Sequence, residues 1–216
     1  MKKLVTLVVV SVCTLSLFSQ TLYMDFEKEP AGALPNGWQA FFNGKGSGTH
    51  WAVIRDGNNK VMAQLSDRNP NNHFNVAAYQ NYVMQNGYIE VALKAIKGHY
   101  DQGGGIIWRM QNAENYYIVR YNPLENNIVL YKMHNGVRTD LPVLGKGRTY
   151  GIKIQADGKK WNKLAVRIDN NVFTVFFNGK EVFKVKDNTF EKEGKIGLWT
   201  KADAVTYFDD LKVEKR

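Results

Sequence analysis

The chain has 216 residues, with 29 basic and 20 acidic side chains and a net charge of +9. Its 44% hydrophobic content excludes a disordered tail, and the length suits one all-β domain. A single cysteine excludes a disulfide scaffold and any zinc site built from several thiolates.

Residues 1–20 (MKKLVTLVVVSVCTLSLFSQ) join Lys2 and Lys3 to an apolar run over 4–18 and a polar break. That order is the pattern of a secretory signal peptide, and the run is shorter than the roughly 20 apolar residues of a membrane-spanning helix. Cleavage is expected near Ser19 or Gln20. Cys13 follows Val12, where a lipoprotein signal needs a small residue, so no lipid anchor is expected. The expectation is an exported protein, periplasmic or extracellular, with no integral membrane segment in its mature form.

From residue 21 the chain is a series of short β-branched and aromatic runs. They cover 88–96, 106–110, 116–121, 128–133, 150–155, 164–168, 172–177, 181–185 and 207–213. Between them stand Asn135-Gly136, Asp157-Gly158, Asp169-Asn170-Asn171 and Asn178-Gly179. Asn and Gly take positive φ cheaply, as tight hairpin turns require. No stretch after residue 20 keeps a helical apolar repeat. Strands this close together, without helices for parallel crossovers, predict an all-β fold: a two-sheet antiparallel jelly-roll sandwich over 21–216.

Several segments carry a family resemblance. They are 24–38 (MDFEKEPAGALPNGW), 51–64 (WAVIRDGNNKVMAQ), 103–139 (GGGIIWRMQNAENYYIVRYNPLENNIVLYKMHNGVRT), 176–185 (FFNGKEVFKV) and 194–213 (GKIGLWTKADAVTYFDDLKV). The chain resembles exported bacterial concanavalin A-like (laminin G/glucanase-type) jelly rolls, close to the 3-keto-disaccharide hydrolase-like and laminarinase-like group. The resemblance implies a curved sandwich whose concave face meets carbohydrate. The group is functionally mixed, so a shared fold does not carry shared chemistry.

The catalytic residues stay unassigned. Retaining glucanases need two carboxylates close together on one strand face. Glu90, in Glu90-Val91-Ala92-Leu93-Lys94, has no second carboxylate at that offset. The four histidines, His50, His73, His99 and His134, form no metal-ligand pattern, and no G-x-S-x-G elbow occurs. Basic residues alternate with acids over 184–195, so no stripe for phosphate recognition is present and nucleic acid is not expected as a partner.

A binding face follows from register. If 111–114 forms a turn, Arg109 pairs near Tyr116 and Ile107 near Ile118. One face then presents Arg109, Tyr116, Arg120 and Asn122, with Lys132 added beyond the 123–126 connection, and the other holds Trp108, Met110, Tyr117 and Val119. Guanidinium and amide groups hydrogen-bond sugar hydroxyls or carboxylates, and a ring stacks on a pyranose. Trp51 and Asp101 are secondary candidates on neighbouring segments. In the last strand, strict alternation places Asp209 with Leu211 and Val213. A carboxylate on an apolar face needs compensation, and Ca²⁺ held by Asp209 with Asp25 and Glu27 of the first strand would supply it. Backbone N–H groups or a buried arginine would serve equally; no cofactor is required.

The leading expectation is an exported domain that binds a polysaccharide or glycoconjugate. The alternatives are a glycoside hydrolase- or lyase-like enzyme, and a structural interaction domain of the cell envelope.

Overall fold

The computed structural model describes residues 21–216. The expected signal peptide, its cleavage site and Cys13 lie outside the described residues. The chain runs through β1 (Thr21–Met24), β2 (Trp38–Gly44), β3 (Trp51–Asp56), β4 (Asn59–Gln64), β5 (His73–Met84), β6 (Gly87–Lys97), β7 (Gly104–Asn112) and β8 (Asn115–Asn122). It continues through β9 (Asn127–His134), β10 (Val137–Asp140), β11 (Ile152–Lys153), β12 (Asn162–Asp169), β13 (Val172–Phe177), β14 (Lys180–Lys186), β15 (Gly194–Lys201) and β16 (Val205–Lys215).

These strands make two antiparallel sheets. One has the order β14-β13-β12-β6-β16-β4-β3, with β1 also on β16; the other has β10-β9-β8-β7-β15-β5-β2, with β11 on β9. We call them the first and second sheets. This is the predicted jelly-roll sandwich. Asn135-Gly136 and Asn178-Gly179 close the β9–β10 and β13–β14 hairpins, with all four residues at positive φ. Asp157-Gly158 instead lies in the connection before β12. The strand expected over 150–155 shrinks to β11, because Tyr150 and Gly151 are both left-handed at φ 54° and 77°.

The main core lies between the sheets. Val91, Leu93, Val166, Phe173, Phe208 and Leu211 of the first sheet meet Ile106, Trp108, Tyr117, Val119, Leu130 and Leu198 of the second. A further apolar cluster occupies the opposite face of the second sheet: Phe74, Val76, Ile107, Tyr116, Ile118, Val129, Tyr131, Met133 and Trp199. Among the described residues no third layer covers it. Two side-chain contacts explain its burial. Arg138 of β10 stacks on Phe74 of β5 at 4.9 Å, and Tyr116 of β8 donates to Asn43 of β2 at 2.7 Å. These pairs are five and four strands apart in the sheet order. In a flat sheet they would be separated by about 24 and 19 Å. The second sheet is therefore rolled inward, and its outer face is concave.

Two β-bulges decide which residues face where. In β7 the register shifts between Trp108 and Asn112, and Arg109 takes φ 47°. In β16 it shifts between Asp209 and Lys212, and Asp210 takes φ 50°. The β16 bulge inserts one residue against β6 and the β7 bulge one against β15, so side chains beyond each change face relative to strict alternation.

Candidate functional site

The concave face is built on β8. Ile107 opposes Ile118, as the register argument requires. Tyr116, Ile118, Arg120 and Asn122 thus alternate on one face, with Tyr117, Val119 and Tyr121 in the main core. The bulge overturns the expected partner on β7: Met110 joins the concave cluster, and Arg109 leaves it. The Arg109 guanidinium is buried at the end of the sandwich. It donates to the carbonyls of Gln85 (2.9 Å), Phe190 (2.8 Å) and Asn170 (2.5 Å), and to Asn86 Oδ1 (3.3 Å). Burial lowers its pKa, since the charge there is costly.

Lys132 is also displaced. The β8–β9 turn sets Asn122 opposite Asn127, so Lys132 opposes Tyr117 of the core side. Its ammonium reaches Asp187 (3.0 Å) and Thr189 (2.7 Å), away from the concave face. Trp51 is in the main core against Phe208, with ring centroids 5.8 Å apart, and does not reach the concave face.

Arg120, Asn122 and Asp101 do come together. Arg120 donates to Asn127 Oδ1 (2.5 Å), Glu125 Oε2 (2.6 Å) and the Tyr131 hydroxyl (3.0 Å). Tyr131 passes a hydrogen bond to Tyr150 at 3.0 Å, and Tyr150 is exposed. Asn122 donates to Asp101 (2.7 Å), which pairs with Lys201 (3.0 Å). Asp101 is held in place because the Asp203 carboxylate accepts from the N–H groups of His99, Tyr100 and Asp101. Burial raises the Asp101 pKa, and Lys201 and Arg120 oppose that rise. Burial also raises Glu125, but the Arg120 guanidinium outweighs it and holds Glu125 below its ordinary range.

The residue that sequence reasoning missed is Arg138. It opposes Met133 across the β9–β10 ladder and so points into the hollow. Its guanidinium lies 4.5 Å from the Tyr131 ring centroid, 4.9 Å from Phe74 and 5.6 Å from Trp199. Among the described residues it forms no ion pair, and its buried Nη1 donates to no acceptor. The only sequence signal was its place in the GVRT turn after Asn135.

The carboxylates considered for calcium do not form a metal site. Asp209 pairs with Ala92 on the outer face of the first sheet, while the bulge returns Leu211 and Val213 to the core. One Asp209 oxygen accepts from Asn59 (2.6 Å) and the other from the Asp210 N–H (2.8 Å). Glu27 accepts from the Lys60 N–H (2.8 Å), and Asp25 from the Glu27 N–H (3.2 Å). Among the described residues no group of three His, Cys, Asp or Glu side chains is arranged to hold a metal ion. The residues do not fit a calcium centre.

Glu90 stands on the outer face of the first sheet, accepting from Tyr88 (2.8 Å) and facing Lys163 at 3.5 Å.

Comparison with known proteins places this geometry in a family. The profile of the 3-keto-alpha-glucoside-1,2-lyase-like domain matches residues 37–214. The chain belongs to that family. No curated protein sequence matches it. Among solved structures it is similar to the carbohydrate binding module CBM66 from Bacillus subtilis, with TM-score 0.62 and 20% identity over 82% of this chain and 94% of the other. The cellulose-induced protein Cip1 aligns at TM-score 0.64 and 11% identity, over 89% and 96%. The β-glucanase of Bacillus licheniformis aligns at 0.54 and 12%, over 91% and 98%. These likenesses establish the concanavalin A-like jelly-roll fold of this 3-keto-glucoside lyase-like domain.

Proposed function

We propose that this 3-keto-glucoside lyase-like domain is an exported carbohydrate-binding protein, and that the hollow of the second sheet receives a polysaccharide or glycoconjugate. The carrying observation is Arg138, a guanidinium without an ion-pair partner among the described residues, held over Tyr131, Phe74 and Trp199 on the concave face. Those three rings are buried beneath it, and the half-buried Phe41 and exposed Tyr150 beside them offer ring surface for the C–H face of a pyranose. A guanidinium beside them donates to hydroxyl or carboxylate oxygens in a water-poor setting. Arg120, Asn122, Asp101 and Lys201 form the polar end of the same face, and Tyr116 with Asn43 spans it. Similarity to a carbohydrate binding module supports the reading.

The test is a broad glycan panel scored for both retention and cleavage. Purified protein should retain at least one glycan class, and Arg138→Ala should weaken that retention at least tenfold with the melting temperature little changed. Failure to retain any glycan overturns the proposal.

A second reading, glycosidic cleavage of the hydrolase or lyase type, is favoured by Asp101. Its carboxyl group is buried, raised in pKa and adjacent to Lys201 and Arg120. That environment suits proton transfer. Release of shortened sugars that Asp101→Asn abolishes, without loss of retention, would establish it.

A further inference from the structure

Accepting the carbohydrate reading above, the charge pattern narrows the ligand. We propose that the hollow is selective for an acidic sugar, a glycan unit bearing a carboxylate, and that Arg138 is the group that reads that charge.

Arg120 is paired with Glu125, Lys201 with Asp101, and Arg148 with Asp140. Each of those cations has its anion within 3.0 Å. Among the described residues Arg138 stands without one, although it is half-buried and its Nη1 is enclosed. Three aromatic rings compensate part of its desolvation, as cation–π contacts do, but they leave Nη1 without an acceptor. A neutral hydroxyl would satisfy one donor and none of the charge. A carboxylate satisfies two donors and the charge together, in the bidentate geometry that guanidinium favours.

The surroundings agree with a sugar rather than a bare anion. Asp140 shares the face with Arg138, and its Oδ2 is buried without a donor. That oxygen, an unmatched acceptor on the same face, suits a hydroxyl donor on the ring that carries the carboxylate. Among the described residues Asp140 forms its ion pair with Arg148, through Oδ1 at 2.7 Å, and none with Arg138. The Tyr131 and Trp199 rings lie buried against the guanidinium, and the exposed Tyr150, bonded to Tyr131 at 3.0 Å, offers ring surface that a pyranose can meet.

Calorimetric titration tests the proposal with trimers of galacturonate, glucuronate and mannuronate, each beside its methyl ester and the neutral parent trimer. The ester keeps ring and shape and removes only the charge. At least one acid should bind at least tenfold more tightly than its ester, and 0.5 M NaCl should reduce that preference. Arg138→Met should weaken the acid far more than the ester, so that the preference for the acid disappears. Should Arg138→Met fail to fold, Arg138→Lys keeps the charge without the planar fork, and a several-fold loss confined to the acid supports the proposal. Equal affinity for acid and ester, or retention of neutral or sulfated glycans alone, overturns the carboxylate assignment and leaves carbohydrate binding standing. Absence of binding to the trimers and to the whole glycan panel overturns both.

Discussion

The two outward faces of the sandwich follow the same alternation and end in different states. On the first sheet, outward positions carry Glu90, Lys94, Lys163 and Lys212, paired with Lys163, Asp56, Glu90 and Glu214 in solvent-facing ion pairs. On the second sheet, outward positions carry Val76, Ile107, Ile118, Val129 and Trp199, all buried, with polar groups set among them. The difference is curvature. A convex face splays its side chains into water, so charges suit it. A rolled face turns its side chains on one another, creating a second core without a second layer and making each polar group there costly. A guanidinium unpaired among the described residues would carry no information on the other outer face; in the hollow it is the feature on which the proposed binding rests.

The largest expected effect is at Arg109, which belongs to neither face. Arg109→Ala strips hydrogen bonds from three backbone carbonyls and from Asn86 at the end of the sandwich. Leaving buried carbonyls unpaired should cost about 3 kcal/mol or more, read from urea unfolding. If the variant remains folded, glycan retention should equal that of the wild type. Lost retention in a fully stable variant would break the separation between the clamp and the hollow.

Arg109 also shows where the sequence stops being legible. The strands, their antiparallel pairing and the Asn-Gly turns are local properties, and they were readable. So was the shared face of Tyr116, Arg120 and Asn122, because β8 is regular. Arg109 and Asp209 lie at bulges, and one inserted residue reverses a face without leaving any mark in a hydrophobic pattern. Lys132 was misplaced by the parity of a four-residue turn. Arg138 could not be seen at all, since its meeting with Phe74 and Trp199 is made by the roll of five strands.

Asp209 tests the convex face at its least comfortable point. Burial, with Asp210 and Glu27 nearby, raises its pKa from 3.8 to about 6, against hydrogen bonds from the Asp210 N–H and Asn59. The folded state therefore holds the proton more tightly than the unfolded state between about pH 4 and 6. Stability contributed by this group is present below pH 4 and lost as pH rises through 6. Asp209→Asn should raise stability at pH 7 by about 1 kcal/mol after solvent screening is allowed for, and leave it unchanged at pH 4. Melting temperatures at the two pH values decide this. Millimolar Ca²⁺ and EDTA should each leave the wild-type value where it is, because the neighbouring carboxylates are already engaged by N–H donors. A rise with Ca²⁺ would reopen the metal reading.

The smallest effect belongs to Glu90, the position where a glucanase-like carboxylate was considered. Its carboxylate accepts from Tyr88 and faces the half-exposed ammonium of Lys163 at 3.5 Å. An ion pair this long and this wet contributes little, and a glutamine retains an oxygen for the Tyr88 hydroxyl. Glu90→Gln should therefore change stability by no more than about 0.5 kcal/mol, within the range of ordinary surface substitutions. Glycan retention and any cleavage should be untouched, since Glu90 and the hollow lie on opposite outer faces of the sandwich. Measuring both on one preparation sharpens the contrast between the faces. A loss of either at Glu90 would move the functional site to the convex side and leave the roll of the second sheet with a purely structural role.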